Sequence, residues 1–303
     1  MISVKADHLN MSYGSVQALH DLSFEVNKGE IYCIIGPDGA GKTSLFRILT
    51  TLLLADSGTA SVEGLDVVND YKHIRNIIGY MPGRFSLYQD LSVEENLEFF
   101  ATIFNTTIKE NSYLVEDIYK QIEPFKTRRA GNLSGGMKQK LALCCALIHK
   151  PCVLFLDEPT TGVDPVSRKE FWDMLKKLKA EGITIIVSTP YMDEATLCDR
   201  IALMLNGHFM MVDTPSGIIA SYPNKLWSVA SDNLHRLLHT LRSNEHIKSS
   251  FSFGESFHVT FKNDSEYGEV ELKAFLESEG HTDISISAIQ PKVEDCFMLL
   301  SKQ

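Results

Sequence analysis

A chain of 303 residues is about twice the length of a common single domain and fits one large unit plus one small one. With 44% apolar residues it can bury a core, which excludes global disorder. Lys and Arg number 29 against 39 Asp and Glu, a formal charge of −10. The basic surface that a broad nucleic-acid footprint needs is therefore missing, and no nucleic-acid partner is expected beyond local patches.

Residues 1 to about 30 alternate apolar and polar positions between the turn signals Tyr13-Gly14 and Asn27-Lys28-Gly29, which predicts short antiparallel strands. The opening Met1 to His8 lacks the apolar centre of a signal peptide. Ile31-Tyr32-Cys33-Ile34-Ile35 is an unbroken apolar run, the pattern of a strand buried on both faces. A glycine-rich loop follows, then a predicted helix over Thr43 to Leu54. A more polar, helix-patterned stretch fills about 84 to 150. Val153 to Leu156 and Ile183 to Val187 read as two further buried strands, with helical spacing from Pro165 to Ala180 between them. Unbroken apolar strands alternating with helices predict a parallel α/β core.

After Asp213-Thr214-Pro215-Ser216-Gly217 the pattern changes to shorter pieces. Strands are predicted at Leu226 to Ala230, Ile247 to Phe253, Phe257 to Phe261 and Ile284 to Ile289. Helices are predicted at Asn233 to Leu241, Val270 to Glu279 and Val293 to Leu300. The order βαββαβ plus a final helix predicts a small ferredoxin-like α+β module. The expected domains are thus 1–215, with a helical subdomain at about 84–150, and 216–303. No apolar run, Leu141 to Ile148 included, approaches the roughly 20 residues that span a bilayer. The six cysteines (33, 144, 145, 152, 198 and 296) lack C-x-x-C spacing and sit in or beside apolar runs, so buried, reduced thiols and a cytosolic setting are expected.

The chemistry begins at Gly36-Pro37-Asp38-Gly39-Ala40-Gly41-Lys42-Thr43, followed by Ser44, which matches G-x-x-x-x-G-K-[ST]. Glycines let successive backbone N–H groups turn toward phosphate oxygens, and the helix that follows adds its positive end. In such a loop Lys42 meets the terminal phosphates and the Thr43 hydroxyl can bind Mg²⁺. The preceding apolar strand and following helix supply the required context for a nucleoside triphosphate site. Leu154-Phe155-Leu156-Asp157-Glu158 then ends a buried strand in two acids. Asp157 is placed to hold Mg²⁺ through water, and Glu158 to orient or deprotonate an attacking water.

Leu133-Ser134-Gly135-Gly136-Met137-Lys138-Gln139 resembles the signature motif of the ATP-binding cassette (ABC) ATPases, and the order of the motifs around it agrees. Tyr13-Gly14 with Ala18-Leu19 looks like the segment whose aromatic ring stacks on adenine. Gly162-Val163-Asp164-Pro165 looks like the loop after the acidic strand, with Asp164 at its aspartate. The resemblance covers about 1–215. It implies a P-loop NTPase core of the ABC type with antiparallel β and α-helical subdomains, and ATP with Mg²⁺ as ligands. It also implies head-to-tail dimers in which each ATP lies between one chain's phosphate loop and the other's Ser134-Gly135-Gly136. The tail Pro291 to Leu300 and the stretch Tyr88 to Leu97 are similar to drug-export-type members. The implied protein is the ATPase subunit of an exporter, on the inner face of the cell membrane through separate permease subunits.

Two positions depart from the family pattern. Gly83, in Gly79-Tyr80-Met81-Pro82-Gly83-Arg84, stands where members carry a Gln that reaches Mg²⁺ and water; spacing gives no warrant for Arg84 or Gln89 in its place. Pro190, in Ser188-Thr189-Pro190-Tyr191, stands where members carry a His that bonds the terminal phosphate. Proline has no side-chain donor and no N–H. A structural rationale for it is Thr189 as N-cap with Pro190 opening a helix. A depleted own site beside an intact signature favours a heterodimer with a second ABC ATPase over a homodimer. A non-hydrolysing scaffold and a non-transport ABC ATPase stay open as other readings.

Overall fold

The first strands pair across a tight turn, in which Gly14 adopts φ 60°. β1 (Ile2–Tyr13) and β2 (Val16–Asn27) are antiparallel and longer than their sequence pattern predicts, because register shifts let both strands bend while continuing to pair. Next come β3 (Ile31–Ile35), α1 (Lys42–Leu49), β4 (Ser57–Val62), β5 (Leu65–Asp66), α2 (Tyr71–Ile77) and β6 (Ile78–Met81). The computed structural model describes residues 1–263 and 267–302. The predicted helix to Leu54 stops at Leu49: Thr50 turns its hydroxyl back to the Phe46 carbonyl, and Thr51 takes φ 64°.

Three helices follow: α3 (Val93–Ile103), α4 (Ser112–Ile122) and α5 (Gly135–Leu147). Ser92 and Glu95 form a reciprocal capping box at the start of α3. Then come β7 (Val153–Asp157), α6 (Pro165–Ala180), β8 (Thr184–Thr189), β9 (Arg200–Leu205) and β10 (His208–Asp213). Six strands form one sheet in the order β10-β9-β3-β8-β7-β6, parallel except for the β9–β10 hairpin. All residues of β3, β7 and β8 are buried, which is why their sequences show no alternation. A second, antiparallel sheet runs β2-β1-β4-β5. Leu19, Phe46 and Phe155 belong to a core cluster shared by the two sheets and α1.

Contacts divide the chain into two compact units, Met1–Pro215 and Ser216–Gln303. The second begins with most of α7 (Pro215–Ala220) and continues with β11 (Leu226–Ala230), α8 (Leu234–Ser243), β12 (Ile247–Phe253), β13 (Ser256–Phe261), α9 (Glu269–Ser278), β14 (Ser285–Ile289) and α10 (Val293–Leu300). Its sheet order, β12-β13-β11-β14 with all neighbours antiparallel, is that of a ferredoxin-like fold. Val229, Val259 and Phe261 pack with Leu237 and Leu241 of α8 and Leu272 and Leu276 of α9. α10 is anchored separately. Its Asp295 is buried against His258 at 2.6 Å, and the Cys296 thiol reaches the Ile218 carbonyl.

All six cysteines are free. Five are buried, but Cys152 is exposed, because its N–H pairs with the Ile77 carbonyl just before β7 and its side chain faces outward. Among the described residues no helix is long and apolar enough to cross a membrane, and no cluster of three or more His, Cys, Asp or Glu residues could hold a metal.

Candidate functional site

The phosphate loop leaves the buried end of β3 and is tied to β8 by a hydrogen bond from Gly36 N to the Thr189 carbonyl, 3.3 Å long. Two of its glycines are sterically required. A Cβ at Gly36 would lie 2.2 Å from the Met204 carbonyl, and one at Gly41, whose φ is 108°, would lie 2.4 Å from the Ala18 carbonyl. Gly39 also has positive φ, Ala40 N bonds the Pro37 carbonyl, and the Ala40 carbonyl accepts from Gly207 N. The sequence-predicted loop is therefore wedged between β2 and the β9–β10 turn, with α1 starting at Lys42.

Lys42 is 3% exposed, and a buried ammonium demands partners. Its Nζ donates to the carbonyls of Gly36 (2.7 Å) and Pro37 (2.9 Å), and it pairs with Glu158 Oε1 at 3.1 Å. Thr43 Oγ1 donates to Asp157 Oδ2 at 2.8 Å. Asp157, 2% exposed at the end of β7, accepts at Oδ1 from Ser188 Oγ at 2.6 Å. The same Ser188 accepts Glu158 N at its hydroxyl (3.0 Å) and at its carbonyl (3.1 Å). Glu158 holds a left-handed backbone, φ 51°, unusual for a residue with a side chain. Burial, and then the charge of Asp157, pushes the neighbouring Tyr80 hydroxyl up to about 12.

A cavity of about 580 Å³ opens above these groups. It gathers Tyr13, the loop from Asp38 to Ser44, and Glu158. Ser44 Oγ donates to the Tyr13 hydroxyl at 3.3 Å, which steers that half-exposed ring toward the cavity. Sequence reasoning missed Gln17, His20, Asn206 and Gly207 in the lining, and Ser188 beneath it. Gly207 could not have been found by pattern: its turn reaches the site only because β9 pairs with β3. Ser188 did leave a signal, a hydroxyl residue ending an apolar strand.

The remaining residues lie elsewhere. Ser134 caps α5, its Oγ accepting from Met137 N, and both it and Gly135 are exposed. Gly136 sits against Ser167, where a Cβ would come within 3.0 Å of Oγ. Asp164 caps α6 by accepting from Val166 N and Ser167 N, and the Ser167 N–H first of all holds its carboxyl below the ordinary aspartate range. The signature and Asp164 thus share one exposed surface, and neither lines the phosphate cavity of the same chain.

Gly83 is exposed, and a Cβ built on it would lie 3.1 Å from the Asp157 carbonyl and 3.8 Å from Asp157 Oδ2. A longer side chain at 83 would therefore start beside the acid proposed for Mg²⁺. At 190 only part of the expectation holds. The Thr189 hydroxyl accepts from Tyr191 N at 3.1 Å, the bond an N-cap makes. But Thr189 is the last residue of β8, no helix opens at Pro190, and the same hydroxyl donates inward to Glu194. The 3-10 turn Met192–Leu197 has Tyr191 at its N-cap position and no side-chain cap.

A family model described as "ABC transporter" matches residues 19–161. The chain is 35% identical over 285 residues to the probable multidrug ABC transporter ATP-binding protein YbhF of Escherichia coli K12, covering 93% of this chain and 48% of that protein. It therefore spans about half the length of that relative. It is 30% identical over 304 residues to the Nod factor export ATP-binding protein I of Rhizobium sp. N33, covering 99% and 97%. Among solved structures it is similar to a dimeric post-hydrolysis state of the ATP-binding cassette MJ0796 bound to ADP and Pi. That match has a TM-score of 0.63 and 25% identity, over 70% of this chain and 98% of the other. With its phosphate loop, acidic strand end and signature in the family's arrangement, the chain belongs to the ABC transporter family and carries that family's ATP-binding cassette, an ATPase fold.

Proposed function

We propose that this chain is the nucleotide-binding subunit of an exporter, held at the inner face of the cell membrane by permease subunits, and that it pairs with a second, different ABC ATPase. The observation that carries the pairing is the contrast within one site. Lys42, Thr43, Asp157, Glu158 and Ser188 form a connected set, whereas Gly83 and Pro190 offer it no side-chain donor.

The residues fit ATP and Mg²⁺. The glycine cradle leaves no room for Cβ atoms at Gly36 and Gly41, and the Lys42 ammonium is already held at its base. Thr43 and Asp157 would hold Mg²⁺, whose charge, when bound, offsets that of the terminal phosphates. Terminal phosphate oxygens replace Glu158 as the partner of Lys42, which frees the Glu158 carboxylate to take a proton from the attacking water. The products are ADP and phosphate. Tyr13 stacks on the base, while Ser134, Gly135 and Gly136 face the nucleotide of the partner ATPase, with Asp164 at the same surface. Losing one charge-stabilising donor costs about 2.7–4 kcal/mol of transition-state stabilisation, so this chain's own site runs roughly 10²–10³ slower than a complete one.

Permease contact is assigned to the helical region. A second cavity of about 370 Å³ lies there, lined by Pro82, Leu87, Phe100 and Phe104 among others. The relatives' names, multidrug transport and Nod factor export, support the export direction.

The test is the assembled complex, captured in mild detergent through a tag on this chain. A different ATPase copurifies with permease subunits. In that complex Ser134→Ala combined with Gly135→Asp removes most of the turnover, while Glu158→Gln removes a smaller part. Equal losses mean a homodimer. No loss at all with Glu158→Gln leaves the chain as a nucleotide-binding scaffold, the second reading that Gly83 and Pro190 favour.

A further inference from the structure

Glu194 is a buried carboxylate, 2% exposed, that none of the roles above uses. It lies in the 3-10 turn after β8 and gathers donors from three separate segments. Its Oε1 accepts from Thr160 Oγ1 at 2.8 Å and from Arg168 Nε and Nη2 at 3.1 and 3.0 Å; its Oε2 accepts from Thr189 Oγ1 at 2.6 Å. Arg168 also reaches Asp193 at 3.3 Å and lies 4.2 Å above the Tyr191 ring.

Each of these donors stands next to a residue of the site. Thr160 is two residues beyond Glu158. Arg168 is one turn into α6, and its N–H bonds the Asp164 carbonyl at 2.9 Å. Thr189 precedes Pro190. Glu158 meanwhile keeps a left-handed φ of 51°, a conformation that persists only where its surroundings over-determine it. Ser188 fixes the N–H of Glu158, and the Glu194 cluster fixes the chain two residues on. Position 190, being proline, supplies no side chain to steady the Glu158 carboxylate.

We propose that Glu194, acting with Thr189 and Arg168, is a positioning residue for hydrolysis. It binds the 158–164 segment to the end of β8, so that the aim of Glu158 depends on this buried clamp. The proposal rests on the reading of Glu158 as the group that acts on water. A clamp that served stability alone would change melting behaviour and leave the rate of the folded molecules untouched.

The experiment is single-turnover hydrolysis of γ-labelled ATP with Mg²⁺ by the full chain in excess, reading both the rate and the half-saturating protein concentration. Thr189→Val keeps the shape of a buried strand residue and deletes the donor to Glu194 together with the acceptor of Tyr191 N, a bond that Glu194→Gln leaves in place. The Val variant lowers the rate by about tenfold or more while half-saturation stays within about twofold, as expected when a reacting group is misplaced without loss of binding. Thr189→Ser, which keeps the hydroxyl, rescues most of the rate, and Glu194→Gln behaves like Thr189→Val. If Glu194→Gln does not fold, the Thr189 pair decides alone.

A wild-type rate in Thr189→Val overturns the proposal, as does a Ser variant no better than Val, or a rate and half-saturation that move together. Glu158→Gln separates the two levels. If it leaves the rate unchanged, the Glu158 reading falls and the proposal with it. If it removes the rate that Thr189→Val retains, the proposal alone falls.

Discussion

At the floor of the phosphate cavity, Lys42 has three oxygen partners, Thr43 and Ser188 each hold one oxygen of Asp157, and Ser188 also anchors the backbone of Glu158. At the rim, Gly83 presents bare backbone to the same Asp157, and Pro190 follows a threonine whose hydroxyl faces away into the protein. The floor groups are buried charges and carboxylates, so each must be partnered if the fold is to tolerate it. The rim positions are exposed or half-exposed, and nothing in folding demands a donor there. A site built this way can therefore lose a donor at its rim and keep its fold, because only the buried groups are tied to stability.

The largest expected effect tests the floor. Lys42→Ala removes the buried cation and lowers the affinity for Mg-ATP by about 10²–10³, in line with the 2–5 kcal/mol lost when one partner of a buried charge pair is truncated. Titration calorimetry of the full chain measures it, and unchanged affinity would mean that the floor does not bind phosphate. The rim is tested by restoring it. Gly83→Gln with Pro190→His raises turnover of the full chain by about 10² or more, since a single regained donor is worth about that much. The tight 3.1 Å approach of a Cβ at 83 to the Asp157 carbonyl must relax by a few tenths of an ångström for this to work. An unchanged turnover would show that the rim does not limit the rate.

The smallest effect concerns the exposed cap at Asp164. Its folded-state pKa lies below the ordinary 3.8, so the cap's contribution is present above that value and is lost as the pH falls through the depressed one. Asp164→Ala therefore lowers the melting temperature slightly and by a constant amount at neutral pH. The difference from the unaltered chain disappears in strong acid. A difference that instead grew on acidification would reverse the assigned sign.

Much of the molecule was legible because single segments carried the signal. The unbroken apolar runs of β3, β7 and β8 could only be strands buried on both faces, and α6 begins where Asp164-Pro165 caps it. The small strands and helices of the second unit were readable from the same local periodicities. Helix ends decided by side-chain bonding were not. Thr50 returns its hydroxyl to the Phe46 carbonyl as α1 ends five residues early at the left-handed Thr51, and Thr189 shares its hydroxyl between Glu194 and Tyr191 N with no helix following. Thr and Ser hydroxyls choose between backbone and side-chain partners, and spacing does not reveal which.

The sequence by itself determined the phosphate loop, the acidic strand end, the signature and the two departures from the family pattern, because each depends on residue type over a few neighbouring positions. Tertiary structure alone decided what joins them. Ser188 reaches both acids because β8 lies beside β7, Gly207 meets Ala40 because β9 lies beside β3, and Glu194 collects Thr160, Arg168 and Thr189 from three segments. Those contacts follow from strand order and burial, which bring distant residues within hydrogen-bond range and leave a buried carboxylate no alternative partner.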